Sequence, residues 1–448
     1  MKIRSVSAHQ IYDSRGDPTI EVEVALDNGT TGRGLVPSGA STGRTEAIEL
    51  RDGDPSRWRG RSVLRAVEHV RREIGPPLVG WDPADQAGLD RRLIELDGTP
   101  DKGRLGANAV LGVSLAAADA AARAQGEPLF AHVRRLFRRP GPAPAVSTGP
   151  APAGAFPAQD DYLLPLPEIQ IIGGGAHAGG RLDVQDFLLI AVGAKTYAES
   201  LEITYAVYRA AGDMLSERGL RRGVADEGGY WPEFETNEEP IRFLVEAIER
   251  AGYEPGRDAA LALDIAAGEF YDEPERRYRF RRENRAFDSS EFAALITGWC
   301  DRYPIVSIED PMAETDAEGW RKIAEAVGRR VQLVGDDVFT THVERIREGI
   351  ARRIANAVLI KPNQIGTLSE TLEAIRVTQA AGWRPVVSAR SGETEDAFIA
   401  HLAVGTDAGQ LKVGSFARSE RMAKWNEILR IERALGPAAR FAAGPLIR

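Results

Sequence analysis

The chain has 448 residues, 43% of them hydrophobic and 27% charged, which fits a globular protein with ample length for a large core. A net charge of −9 argues against nonspecific nucleic-acid binding, and a single cysteine, Cys300, excludes an intrachain disulfide framework and suits a reducing compartment. The first sixteen residues lack the apolar core of a signal peptide, and the longest apolar run, near 110–122, is broken by Ser114 and Asp119 and is too short for a bilayer, so a cytoplasmic location is expected.

The first predicted element is a strand over residues 19–26, where apolar and polar residues alternate. Asp27-Asn28-Gly29 then reads as a hairpin turn. The small residues of 37–43, PSGASTG, suit a lid loop. Helical spacing follows over 63–74 and 107–123. These elements make an α+β cap over residues 1–137. Residues 138–161 are rich in Pro, Ala and Gly and read as a linker or long loop.

From residue 162 to 448 a rhythm sets in. Short apolar runs each end in one polar residue: Leu261-Ala262-Leu263 before Asp264, Ile305 to Ile308 before Glu309, and Val331 to Val334 before Asp336. The pattern continues with Ala357 to Ile360 before Lys361, Pro385 to Ser388 before Arg390, and Gln410-Leu411 before Lys412. Helical segments lie between most of them, at 315–326, 343–354 and 368–381. Strands and helices alternating in this way imply parallel βαβ units. The simplest closure is a TIM-like barrel whose strand ends face the active site. A doubly wound sheet is the alternative.

In the barrel, Asp264, Glu309 and Asp336 converge, and three carboxylates held together call for a hard divalent cation such as Mg²⁺. Lys361 and Lys412 face them, and nearby positive charge lowers a lysine pKa, which suits one of them to be a base. Arg390 and Ser391 offer a two-point donor and a hydroxyl, matched to phosphate or carboxylate. Together these groups describe a site for a small anion that loses a proton beside a carboxylate. Singly, each of these acids and lysines also reads as half of an ordinary salt bridge. Asp226-Glu227-Gly228-Gly229 and the glycine cluster around His177 are further candidates, and both also read as plain turns.

These segments together resemble the enolase family. The resemblance rests on YDSRG at 12–16, PSGASTG at 37–43, LDGTPDKGRLGANAVLGVSLAAA at 96–118, HAGG at 177–180 and DEGG at 226–229. It continues through GAKTYAESL at 193–201, SIEDP at 307–311, KPNQIGTLSE at 361–370, RSGETED at 390–396 and ARSER at 417–421. It implies a modified (β/α)8 barrel carrying an N-terminal cap, two Mg²⁺ ions per site, and a homodimer or larger homo-oligomer. By resemblance, Asp264, Glu309 and Asp336 are ligands of the first metal and Ser41 reaches the second. Lys361 is the base, and Lys412 contacts the substrate carboxylate. Glu227 is the acid that helps hydroxide leave, Asp186 stands at a catalytic position, Arg390 and Ser391 grip phosphate, and Gln185 and His177 contact ligand.

Three positions depart from the family pattern. Ala389 stands for histidine, Asp186 for glutamate, and Gly173-Gly174-Gly175-Ala176-His177 for a motif close to Asn-Gly-Gly-Ser-His. Ala389 is expected to leave a space beside Arg390, and Asp186 to retract a carboxylate by one methylene. These losses favour a divergent paralogue that takes a modified phosphate- or phosphonate-bearing anion, as carboxyphosphonoenolpyruvate synthase does in phosphinate pathways. The alternatives are an ordinary enolase acting on 2-phosphoglycerate and a non-catalytic binding protein on the same scaffold. No nucleic-acid or membrane partner is expected.

Overall fold

The computed structural model describes residues 1–40, 42–138, 161–444 and 446–447. Ser41 and most of the Pro/Ala-rich segment, 139–160, lie outside the described residues.

The chain begins with an antiparallel meander of β1 (Ile3–Tyr12), β2 (Pro18–Leu26) and β3 (Thr31–Leu35). The turn between β2 and β3 carries Gly29 at φ 86°, a left-handed conformation that glycine adopts without steric cost. The meander is followed by α1 (Leu64–His69), whose helical path runs on through a π-turn, by α2 (Gln86–Asp97), by α3 (Ala107–Gln125) and by α4 (Leu129–Arg138). Helix α3 is buried on every side from Ala107 to Ala122, and its alanines allow the strand to approach closely. A Cβ at Gly32 of β3 would lie 2.1 Å from the Ala120 nitrogen, so only glycine fits there.

The second part is a closed eight-stranded barrel. Its strands are β4 (Leu166–Gly173), β5 (Asp186–Ile190), β6 (Ala260–Asp264), β7 (Ile305–Glu309), β8 (Gln332–Gly335), β9 (Ala357–Ile360), β10 (Arg384–Ser388) and β11 (Gln410–Gly414). The order around the barrel is β7-β8-β9-β10-β11-β4-β5-β6. Helices α5 (Tyr197–Glu217) and α6 (Glu239–Arg250) both precede β6, and one main helix follows each later strand, beginning with α7 (Ser289–Arg302). Helix α7 starts where the Asp288 side chain takes the N–H groups of Ser290 and Glu291 while Glu291 caps Asp288 in return.

The barrel expected from the sequence is thus present, and the doubly wound alternative is not. It departs from an all-parallel ring at one strand. β5 runs antiparallel to both β4 and β6, while the other neighbours are parallel. Its first residue, Asp186, therefore sits at the end of the barrel where the other strands finish, paired with Gly173 and with Asp264. A second correction concerns Lys412. It is not a strand-end residue but the third residue of β11, in register with Ser388 and Glu168.

Candidate active site

The strand ends bring the predicted side chains to one mouth. Asp264 closes β6 and Glu309 closes β7, and the two are register partners. Asp336 and Lys361 follow β8 and β9, and Arg390 stands two residues beyond β10. All of the acids are buried, as are Lys412 and Arg390.

Ammonium groups sit among the acids. Lys412 Nζ lies 2.8 Å from Asp264 Oδ2 and 2.6 Å from Glu309 Oε2, and Lys361 Nζ lies 2.5 Å from Asp336 Oδ2. Amide groups complete the set: Gln185 Nε2 donates to Asp264 Oδ2 at 3.1 Å, and Gln364 Nε2 to Asp336 Oδ1 at 2.8 Å. The Asp310 carboxylate accepts the N–H groups of Asp336 and Asp337 at 2.9 and 2.8 Å, which fixes the turn that presents Asp336.

Charge is unevenly shared. Burial opposes ionisation of Asp264, but Lys412, with help from Lys361 and Gln185, outweighs it and holds the carboxyl below its usual range. Glu309 is pushed well above its usual range, first by burial and then by the nearby charges of Asp264 and Asp336. Both touch the same ammonium, and Glu309, which faces two other carboxylates, is the one whose charge is disfavoured. Burial also weakens the charge on Lys361 and Lys412, yet Asp336 and Asp264 respectively keep both lysines protonated.

Asp264, Glu309 and Asp336 share this mouth with the two lysines, Lys412 pairing with Asp264 and Glu309 and Lys361 with Asp336. Among the described residues, two other acidic groups have ligand atoms within 4.8 Å of one another: Asp310 with Asp336 and Asp337, and His177 with Asp186 and Glu227. The donors remain suited to Mg²⁺, being hard oxygens in excess of the nearby cations. Asp264 Oδ1 is buried with no hydrogen-bond partner, a costly state that a cation relieves.

Beside these groups lies a buried triad. His177 Nδ1 is 3.1 Å from Asp186 Oδ1, and His177 Nε2 is 4.0 Å from Glu227 Oε1. Burial disfavours the imidazolium, but Asp186 and Glu227 outweigh it and push its pKa up to about 9. Asp186 rises to about 6, chiefly through burial, with His177 opposing. Gln170 anchors the arrangement by donating to Asp186 Oδ1 and accepting the Gly229 N–H. Gly173 has a local reason: a Cβ there would lie 2.5 Å from the Ala225 Cβ.

Arg390 answers to a carboxylate from the cap. Its NH1 lies 2.9 Å from Glu46 Oε2 and 3.0 Å from Asn363 Oδ1. Ser391 Oγ accepts from Arg15 NH1 at 3.3 Å, and Arg15 NH2 reaches Ser38 and Gly39. A cavity of about 300 Å³ lies where cap and barrel meet, bordered by Pro37, Gly43, Glu46, Asn363 and Arg390. The space expected at Ala389 is not part of it. Ala389 is packed into the main apolar core, and its N–H donates to the Lys412 carbonyl at 2.9 Å.

Four residues near these groups escape a reading of strand ends: Glu46, Glu168, Gln170 and Gln364. Glu168 is 2% exposed, and its pKa rises to about 7, mainly through burial, with Lys412 opposing and Asp264 and Asp186 adding to it. The sequence does hold a signal for two of them. Glu168 and Gln170 are alternate residues of β4, so both point to the same face of the barrel wall.

Comparison with known proteins fits this geometry. Residues 3–133 match the family described as enolase, N-terminal domain, and residues 161–447 match enolase, C-terminal TIM barrel domain. The chain is 50% identical over 441 residues to Enolase 1 of Desulfitobacterium hafniense (strain Y51), covering 98% of this chain and 95% of that one. This likeness favours the plain enolase alternative over the divergent-paralogue reading drawn from Ala389, Asp186 and Gly173, and it lends no support to a synthase of the carboxyphosphonoenolpyruvate type. With both family regions matched and the barrel closed around acids and lysines, this chain belongs to the enolase family and is a lyase of that superfamily.

Proposed function

We propose that the protein is an ordinary enolase, removing water from 2-phosphoglycerate to give phosphoenolpyruvate. The observation that carries this reading is the near-full-length identity to Enolase 1. The acids and lysines at the barrel mouth agree with it.

In this reading Lys361 takes the proton from the carbon that bears the phosphate. Asp336 holds Lys361 protonated in the free protein, while Arg390 and Lys412 act the other way. The lysine must shed its proton before it can serve as a base. Lys412 sets positive charge where the substrate carboxylate gathers electrons. Glu227, beside the His177 imidazolium, gives a proton to the departing hydroxide, and Asp186 holds that imidazole through Nδ1. Gln185 and His177 line the ligand, and Arg390 with Ser391 takes the phosphate. Asp264, Glu309 and Asp336 are the residues that would hold Mg²⁺, with Ser41 the candidate for a second ion, and the metal would supply Lewis-acid stabilisation of the enolate oxygens.

Two Mg²⁺ per site, a homodimer or larger homo-oligomer, a cytoplasmic location and a division into cap, 1–137, and barrel, 162–448, belong to the same proposal. Among the described residues no helix is long and apolar enough to cross a membrane.

The test is a direct assay with magnesium, following phosphoenolpyruvate by its ultraviolet absorbance. Turnover of 2-phosphoglycerate at the rate of a glycolytic enzyme supports the proposal. Failure with an intact, magnesium-binding protein returns the case to a modified substrate. A binding-only scaffold is disfavoured because packing alone does not require this set of buried charges.

A further inference from the structure

The group that Arg390 holds comes from the chain itself. Glu46 and Arg390 are 344 residues apart in sequence and meet between cap and barrel as a two-point pair. Arg390 NH1 donates to Glu46 Oε2 at 2.9 Å, and NH2 donates to Oε1 at 3.2 Å. The side chains are 3% and 9% exposed, so water screens the pair weakly. Glu46 Oε1 also accepts the Gly43 N–H at 3.0 Å and Gln364 Nε2 at 3.3 Å. The same Gln364 nitrogen donates to Asp336 Oδ1 at 2.8 Å. One carboxylate oxygen therefore touches a glycine of the 37–43 loop, the anion-gripping arginine and the amide that steadies Asp336.

A guanidinium matches a carboxylate and a phosphate through the same fork geometry. An anion entering the cavity beside Arg390 meets a fork already engaged by an anion, and two such charges on one fork repel. We propose that Glu46 is an internal stand-in for the substrate anion: it keeps Arg390 placed in the free protein and must yield to phosphate, so it lowers the affinity of this site for its ligand. The proposal rests on the enolase reading only for the identity of the natural substrate; the competition itself concerns any phosphate-bearing anion.

The test uses the full-length protein and inorganic phosphate as the probe, with binding followed by calorimetry. Glu46→Gln removes the charge and keeps the shape. Phosphate is expected to bind this variant about tenfold more tightly than wild type, a gain of about 1.4 kcal/mol. In turnover assays KM falls by a similar factor and kcat does not rise. Should Glu46→Gln fold poorly, Glu46→Asp retracts the carboxylate by one methylene and is expected to bind phosphate severalfold more tightly. Phosphate binding that is unchanged, weaker or undetectable in both variants overturns the proposal, because a residue that only orients Arg390 weakens binding when it is altered. A wild-type protein that binds phosphate but makes no phosphoenolpyruvate overturns the enolase reading and leaves this comparison decisive.

Discussion

Replacing Lys412 with methionine keeps most of the buried stem and removes the ammonium. Asp264 Oδ2 and Glu309 Oε2, now 2.8 and 2.6 Å from that nitrogen, lose their shared counter-charge. Each contact is a partly screened attraction of about 6 kcal/mol at an effective dielectric near 20. The carboxylates cannot regain water without opening the barrel mouth, and removing one partner of a buried pair costs about 3–5 kcal/mol. Glu309 blunts the loss by taking up a proton, since burial, Asp264 and Asp336 already push its carboxyl well above the usual range. The cost then sits near the lower end, about 3 kcal/mol at neutral pH. It also depends on pH. A carboxyl whose folded pKa is raised is stabilising below its unfolded value, near 4.3, and that contribution fades as the pH climbs through the folded value. The Lys412→Met penalty is therefore expected to be larger at higher pH, compared at two conditions of about pH 5 and about pH 8. The assay is urea unfolding in chelator at the two pH values, repeated with saturating magnesium. Magnesium is expected to raise the midpoint of the variant more than that of the wild type. A variant as stable as wild type in chelator at the higher pH refutes the view that Lys412 balances these acids.

Three further outcomes are expected. Lys361→Ala lowers turnover by about a hundredfold to ten-thousandfold, the usual contribution of a positioned base, and leaves phosphate binding nearly unchanged by calorimetry. Glu168→Gln becomes more stable relative to wild type as the pH rises: Glu168 has a folded pKa of about 7, so the wild type loses up to about 3 kcal/mol between about pH 4.5 and pH 8 that the variant keeps, read as a widening gap in urea midpoints. Asp186→Asn removes the nearest negative charge from the His177 imidazole; its pKa, now about 9, should fall towards 6.5, as read by NMR titration of the ring.

Much of the site can be read in the sequence because buried parallel strands announce themselves. An apolar run that stops at Asp264, Glu309 or Lys361 marks both the strand and the side chain it delivers. The first two barrel strands give no such sign. β4 carries Pro167, Glu168 and Gln170 among its apolar residues, because alternate positions face a charged interior. β5 breaks the expected rhythm by running backwards. The misreading at Ala389 has another origin. A missing side chain suggests a hole only if its neighbours stay in place, and here the backbone is packed into the core beside Lys412. Glu46 is legible only in three dimensions, since its partner lies at the far end of the chain.

The reversed strand also shapes how the ring is assembled. β4 and β5 are joined by a short connection and can pair as soon as both leave the ribosome. The other edge of β4 waits for β11, where Leu166 pairs with Gln410, so the seam closes only after nearly the whole chain has been made. Until then Lys412 is missing from between Asp264 and Glu309, and nascent or truncated chains carry those acids without their counter-charge. A protein cut short before β11 is thus expected to be a target for quality-control proteases rather than a partly working enzyme.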